Sequence, residues 1–181
     1  MANLALTQSG SPTSSFHDRC VELFEANFHR LCRYLDRVSG DGELAADLAQ
    51  EAFIRLYRRG SLPDAPEAWL ISVALNLFRN ARSTQKRRER LLTMVRGEAA
   101  HSDPAPSPES AAAAADTRRR VRSTIARLSE RERSLLLLKA EGYSYRDIAT
   151  ALGLNEASVG TLLGRAVRAF RLIYEDAGDA P

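Results

Sequence analysis

Apolar residues recur at three- and four-residue steps along much of this chain, and that spacing limits what it can fold into. The first such run contains Phe16, Cys20, Phe24, Phe28, Leu31, Leu35 and Val38. This spacing places the apolar side chains on one face of an α-helix. No segment alternates polar and apolar residues with a period of two, so we expect no β-sheet. The pattern predicts an all-α protein.

Changes in composition divide the chain into two helical domains. Residues 1–15 carry no charged side chain and are predicted to form a mobile tail. Residues 93–116 contain three prolines, with four acidic residues against one arginine, and are predicted to be an acidic flexible linker. The predicted domains are residues 16–92 and 117–176.

Length and composition exclude several classes of protein. A chain of 181 residues suits two small domains. No apolar run approaches the roughly 18 residues that a membrane helix needs, and the start lacks a secretory signal. With two cysteines there is no disulfide scaffold. We therefore expect a cytoplasmic protein without membrane segments. The net charge of +3 is uninformative, although 24 of the 26 basic residues are arginine.

Helix-start signals can be placed at three serine or aspartate residues. Ser129 with Glu132, and Ser144 with Asp147, have the spacing of a capping box. Asp64 with Glu67 is predicted to cap a helix in the same way.

Residues Tyr145 to Gly164 have the pattern of a helix-turn-helix. Ala149 is small enough for a close helix crossing, Gly153 can end the first helix, and Asn155 can cap the second. Such a motif places its second helix in the DNA major groove. An ordinary pair of core helices is the alternative, and the combined pattern favours DNA binding.

The second helix of this motif carries unusually few side chains that could contact base edges. Gly160 and Gly164 lie four residues apart on one face. Thr161 and Arg165 are the predicted base-reading residues. The predicted phosphate-binding residues are Arg131, Arg133, Arg146 and Arg168.

A second candidate DNA-binding segment runs from Trp69 to Arg90. Aromatic and amide groups beside a strip of cations suit unstacked bases and their phosphates. The predicted DNA-binding residues here are Trp69, Asn76, Arg79, Arg82, Lys86, Arg87 and Arg88. The alternative is a solvated helix end with Trp69 in the core.

Together with the segment Asp47 to Phe53, these patterns resemble the bacterial extracytoplasmic-function (ECF) group of RNA polymerase sigma factors. The resemblance covers about residues 16–92 and 117–174. In that family a segment like Asp47 to Tyr57 docks on the clamp helices of the largest polymerase subunit. The residues that the resemblance assigns to polymerase binding are Asp47, Gln50, Glu51, Phe53 and Arg55.

The rest of the resemblance implies promoter binding without catalysis. The string from Pro66 to Asn76 resembles the segment that melts and reads the −10 element, with Asn76 near a pocket for a flipped base. The preceding loop, Gly60 to Ala65, would help to form that pocket, but it lacks an aromatic residue. Leu75 stands where the family often has a basic residue. Leu128 to Ala166 resembles the segment that binds the −35 element and the polymerase flap. An anti-sigma factor is a common further partner.

Other chemistry fits less well. His17, Cys20, His29 and Cys32 form two His-x-x-Cys pairs, but a single helix would separate the pairs by roughly 18 Å, too far for one zinc ion. No phosphate-binding loop or nucleophile elbow is present, so we expect no enzyme, no metal and no cofactor. A helix-turn-helix regulator that is not a polymerase subunit remains the alternative function.

Overall fold

The computed structural model describes residues 15–96 and 112–176, which form seven α-helices. The helices are α1 (Phe16–Ser39), α2 (Gly42–Arg59), α3 (Pro66–Arg96), α4 (Ala112–Arg127), α5 (Glu130–Ala140), α6 (Tyr145–Leu152) and α7 (Glu156–Asp176). No strand occurs within these two ranges, and the all-α prediction is confirmed.

The helices begin and end largely where local signals place them. The Ser129 hydroxyl accepts from the Glu132 amide, and the Glu132 carboxylate accepts in return from the Ser129 amide. The Asn155 side chain accepts from the Ala157 amide at 2.9 Å and caps α7. Between α6 and α7, Gly153 has a φ of +64°, the left-handed conformation that a glycine adopts without strain. The predicted helix-turn-helix geometry is therefore present.

The predicted cap at the start of α3 is wrong. Because α3 begins at Pro66, the cap position falls on Ala65, which has no side-chain acceptor, and Asp64 lies one residue too early. Glu67 instead forms an ion pair with Arg30 of α1 at 2.6 Å. Proline suits the first helical position because its missing N–H would have no partner there.

The buried face of α3 is wider than its apolar periodicity suggests. Ile71, Ala74 and Leu75 are almost fully buried, whereas Val73 and Leu77 are only half-buried. The reason is that α3 packs against α1 and α2 on one side and against α6 on the other. Leu75 is thus a core residue, which explains why no basic side chain stands there.

The two halves of the chain pack together. We call α1–α3 the N-terminal module and α4–α7 the C-terminal module. Besides the contact of α3 with α6, α1 packs against α5, and one hydrophobic cluster includes buried residues of both modules. The structure therefore shows a closed arrangement of the two modules.

Helices occupy both ends of the predicted linker. Helix α3 continues to Arg96 and α4 starts at Ala112, within the alanine run. The centre of the linker and nearly all of the predicted tail lie outside the described residues. Among the helices of the described ranges, none is both long and apolar enough to cross a membrane.

Arg133 secures the corner between α4 and α5. Its guanidinium donates to the carbonyls of Ile125, Ala126 and Leu128, which lie at or beyond the end of α4. Burial lowers the pKa of Arg133, and the nearby charge of Arg82 lowers it further. Arg133, which the sequence predicted to bind phosphate, thus already donates hydrogen bonds to backbone carbonyls.

We expect Gly153→Ala to lower the free energy of unfolding by about 1 kcal/mol, because alanine is strained in the left-handed conformation. Gly164→Ala is the matched control and should raise it by up to about 1 kcal/mol, because Gly164 is a helical residue facing open space. Urea denaturation measures the free energy of unfolding of both variants. Equal effects of the two substitutions would contradict the assignment of Gly153 as a helix terminator.

We expect Arg133→Ala to lower the free energy of unfolding by about 2 kcal/mol, because three carbonyls, two of them in part-buried hydrogen bonds, lose a charged donor. Arg131→Ala, which removes an exposed guanidinium on the same helix, should change stability by no more than about 0.5 kcal/mol. Thermal and urea unfolding distinguish the two. A stable Arg133→Ala protein would show that the corner does not depend on this side chain.

Candidate nucleic-acid interface

Three polar residues lie on one face of α3. Ser72, Asn76 and Arg79 follow one another at four- and three-residue steps, which places them in a row along the helix. Asn76 is exposed, and its side-chain oxygen accepts from the Arg79 guanidinium at 3.4 Å. An exposed amide beside a guanidinium offers the donors and acceptors that a base edge requires.

The remaining DNA-binding candidates of α3 fall into two groups. Trp69 is half-buried and packs against the hydrophobic core, so a large part of its ring is structural. The cationic side chains further along α3 are exposed, and they are Arg82, Lys86, Arg87 and Arg88. The described part of the strip therefore presents its charge to solvent.

The loop before α3 forms one wall of a pocket with the start of α1. The pocket has a volume of about 480 Å³, and Phe16 and Arg19 line it opposite loop residues Gly60 to Asp64. The Phe16 ring stacks on Tyr57, with 5.9 Å between their centroids. An aromatic side chain of α1 therefore lines this pocket, whereas the loop contributes none. Sequence analysis missed Phe16 and Arg19 because more than forty residues separate them from the loop.

The predicted polymerase-binding residues lie along α2. Asp47, Gln50 and Arg55 are exposed, and Arg55 pairs with Glu51 at 2.7 Å. Phe53 is only 8% exposed, because its ring packs edge-on against Phe24 at 5.0 Å. The Phe53 side chain therefore lies beneath this surface and does not project from it.

A largely apolar groove runs between α1 and α2. It has a volume of about 770 Å³, and its walls include Val21, Phe24, Phe53 and Tyr57. Val21, Phe24 and Tyr57 are between 41% and 55% exposed, which is high for large apolar side chains. We call this surface, together with the exposed face of α2, the α2 groove. Its apolar walls and polar rim are typical of a protein-binding surface.

The second helix of the helix-turn-helix is α7, and its predicted DNA-binding side chains face solvent. Thr161, Arg165 and Arg168 are all exposed. The Tyr145 ring of α6 lies beside the exposed Gly160, 3.6 Å from the position that a Cβ atom would take there. Lys139 lies 5.0 Å from the centre of the same ring. Sequence analysis did not identify either residue as part of this surface.

The phosphate-binding candidates of the C-terminal module differ in their surroundings. Arg131 is exposed. Arg146 forms a loose, exposed ion pair with Glu156 at 3.7 Å. Arg133 is committed to the carbonyls at the corner of α4 and α5. Of these three, Arg131 and Arg146 have the freedom to contact a phosphate without breaking a buried interaction.

The two His-x-x-Cys pairs lie on one continuous helix, α1, as the argument against zinc assumed. His17 packs edge-on against Tyr57 and His29 against Phe28. Within the described residues, no group of three or more His, Cys, Asp or Glu side chains could hold a metal ion.

Charged and aromatic contacts join α1 to the C-terminal module. The Glu141 carboxylate, only 3% exposed, receives Arg33 at 2.9 Å and Arg37 at 2.6 Å, both from α1. The Arg30 guanidinium lies 3.9 Å from the centre of the Tyr143 ring. Burial raises the pKa of Tyr143 to about 12, although the Arg30 charge opposes that rise. None of these long-range contacts has a local sequence signal.

Family models match both modules. Residues 23–88 match the model of Sigma-70 region 2, and residues 118–170 match the model of Sigma-70, region 4. Two solved structures have the same fold at 20% identity. The sigma factor RpoE in complex with the anti-sigma factor NepR from Bartonella quintana aligns with a TM-score of 0.62, over 87% of this chain and 97% of that one. CnrH in complex with the cytosolic domain of CnrY aligns with a TM-score of 0.61, over 91% of each chain.

Curated relatives resemble the chain over most of its length. The ECF RNA polymerase sigma factor SigL of Mycobacterium tuberculosis is 30% identical, over 86% of this chain and 89% of its own. The RNA polymerase sigma-H factor of Pseudomonas aeruginosa is 35% identical, over 78% and 77% respectively. These matches extend across both modules in the order that the sequence motifs predicted. The chain belongs to the ECF group of RNA polymerase sigma factors.

Proposed function

We propose that this protein binds core RNA polymerase and directs it to promoters, where it recognises and melts DNA to start transcription. The observation that carries the proposal is the presence, on one chain, of an exposed amide face on α3 and a complete helix-turn-helix. The α3 face suits unstacked bases, and the helix-turn-helix suits duplex DNA. The action is binding rather than catalysis, and it takes place in the cytoplasm, where the polymerase is.

The α2 groove is the proposed docking site for the clamp helices of the largest polymerase subunit. Its exposed polar residues Asp47, Gln50 and Arg55 can pair across a helix–helix contact, while the apolar walls supply buried area. The anti-sigma factors present in the two similar structures make an anti-sigma protein a second candidate partner for this chain.

The face of α3 is the proposed site of −10 recognition. Asn76 offers an amide to an unstacked base, and the exposed cations from Arg82 to Arg88 follow the strand through its phosphates. Arg79 completes this face once it is released from Glu130. In the pocket beside the loop, Phe16 provides an aromatic surface and Arg19 a cation, the two groups that hold a single-stranded base.

The C-terminal module is the proposed reader of the −35 element and the partner of the polymerase flap. Thr161 and Arg165 are the proposed base contacts, with Arg131, Arg146 and Arg168 on phosphates. The two glycines of α7 remove side chains from the DNA-facing surface. We therefore propose that this site depends on backbone approach and DNA shape more than on many base contacts.

Transcription reconstituted from purified components tests the proposal. The protein is added to core polymerase with promoter DNA from its host, and promoter-dependent RNA is measured. RNA that starts at defined promoters supports the sigma function. Specific binding to duplex DNA without binding to polymerase would instead indicate a regulator that is not a polymerase subunit.

Asn76→Ala should reduce promoter opening about tenfold or more while leaving polymerase affinity unchanged, because the lost amide contacts only the unstacked strand. Asp47→Ala should do the reverse and weaken polymerase binding without changing opening at saturating protein. Permanganate footprinting measures opening, and a polarisation assay measures polymerase binding. If Asn76→Ala reduced both quantities equally, Asn76 would be structural.

Arg165→Ala should relax the preference for the −35 sequence, because a guanidinium that pairs with a base edge discriminates by about 1–3 kcal/mol. Arg168→Ala is the comparison, and it should weaken all sequences alike because it contacts phosphate. Transcription from a library of −35 variants gives both results. An unchanged preference in Arg165→Ala would assign the readout to DNA shape.

A further inference from the structure

A pocket of about 420 Å³ lies among three elements: α3, the corner that joins α1 to α2, and the corner that joins α4 to α5. Asp41 lines it from the first corner, Phe78 and Arg82 from α3, and Arg133 from the second corner. We call it the corner pocket. Its volume falls within the roughly 300–1,000 Å³ of typical small-molecule sites. Walls on three sides suit a compact molecule better than a continuous nucleic-acid strand.

Three cationic side chains line the corner pocket. Arg82 and Lys86 lie one helical turn apart on α3, and Arg133 belongs to α5. Within the described residues, neither Arg82 nor Lys86 has an ion-pair partner. Burial lowers the pKa of Arg133 and the charge of Arg82 lowers it further, so these two guanidiniums are close enough to repel each other. An anion bound between them would relieve that repulsion.

Two carboxylates near these cations are already engaged elsewhere. Asp41 caps α2 by accepting from the Leu44 amide at 3.0 Å. Glu130, whose charge acts on Arg133, pairs with Arg79 at 2.6 Å. The corner pocket therefore keeps an excess of positive charge, which favours a ligand with several negative charges.

Arg133 is held in place before any ligand arrives. Its Nε and Nη2 atoms donate to the carbonyls of Ile125, Ala126 and Leu128. Its Nη1 atom donates to no acceptor in the described part of the chain. A phosphate can bind this third nitrogen while the corner of α4 and α5 stays intact, and a side chain that is already ordered loses little entropy on binding.

An apolar wall lies beside the cations. Phe78, which is partly buried against the hydrophobic core, lines the corner pocket together with Val38 and Leu44. An aromatic ring is a surface on which a nucleobase can stack. A site for phosphate alone would have no use for this wall, whereas a nucleotide uses both the wall and the cations.

We propose that the corner pocket binds a nucleoside triphosphate, with the base against Phe78 and the phosphates on Arg82, Lys86 and Arg133. Binding requires neither polymerase nor promoter DNA, so the site stands or falls separately from the proposed function.

Calorimetric titration of the full chain with ATP and with GTP tests the site at physiological ionic strength. At least one of the two should bind, with one molecule per chain. Inorganic tripolyphosphate, which lacks the base, should bind at least tenfold more weakly. Failure of both nucleotides to bind at millimolar concentration would overturn the proposal, and so would tripolyphosphate binding as tightly as the nucleotide.

Paired charge variants separate the corner pocket from the general attraction of a basic helix for polyanions. Arg82→Gln with Lys86→Gln should weaken nucleotide binding at least tenfold, because two of the three cations are lost. Arg87→Gln with Arg88→Gln is the matched control, since it removes two exposed cations of the same helix that do not line the pocket. It should change nucleotide affinity less than twofold. An equal loss in the two double variants would contradict the proposal.

Phe78→Leu tests the base. Leucine keeps the apolar contact with the core but removes the ring, so the nucleotide should bind about tenfold more weakly while tripolyphosphate affinity stays unchanged. Circular dichroism confirms that each variant is folded. If Phe78→Leu left nucleotide affinity unchanged, or weakened nucleotide and tripolyphosphate equally, the assignment of a nucleotide to this pocket would be wrong.

Discussion

A buried carboxylate links the two modules. Glu141 lies at the end of α5, next to the turn that leads into the helix-turn-helix, and its partners Arg33 and Arg37 lie on α1. Since an unpaired charge in this position would be strongly unfavourable, α5 is held against α1. In the same arrangement α6 packs against α3. In this arrangement Ser72 and Arg79 of α3 contact α6 and α5, while Asn76 stays exposed.

Helix α3 serves both the core and the surface because neighbouring residues in a helix point about 100° apart. Leu75 of α3 is buried in the core, whereas Asn76, the next residue, is exposed on the face that meets the C-terminal module. A basic residue in place of Leu75 would lose the core contact. The cationic character of α3 is therefore confined to its later turns, where Arg82 to Arg88 are exposed.

Features determined within a few residues were predictable from sequence. The periodic apolar positions predicted the helices, and Ser129, Gly153 and Asn155 marked ends that the structure confirms. The prediction that Asp64 caps α3 was wrong, because the helix starts at Pro66 and its cap position is Ala65. The Arg133 corner, the contacts of Glu141 with α1 and the Phe16 pocket were not predictable, because each depends on residues that only the folded chain brings together. The order of motifs identified the family, but it contains no information on how the modules pack.

The two glycines of the recognition helix α7 differ in their surroundings. Tyr145 lies beside Gly160 at an ordinary van der Waals distance from an added Cβ atom, so this exposed glycine leaves helix backbone bare next to the ring. At Gly164, in contrast, nothing lies within 4 Å, and the absent side chain leaves bare helix backbone facing outward. A surface of this kind can approach DNA more closely than one covered by long side chains. Positive charge then comes from the edges of the motif, at Lys139, Arg165 and Arg168, rather than from its centre. The glycines and the flanking cations are thus two parts of one arrangement, in which close approach replaces a dense set of base contacts.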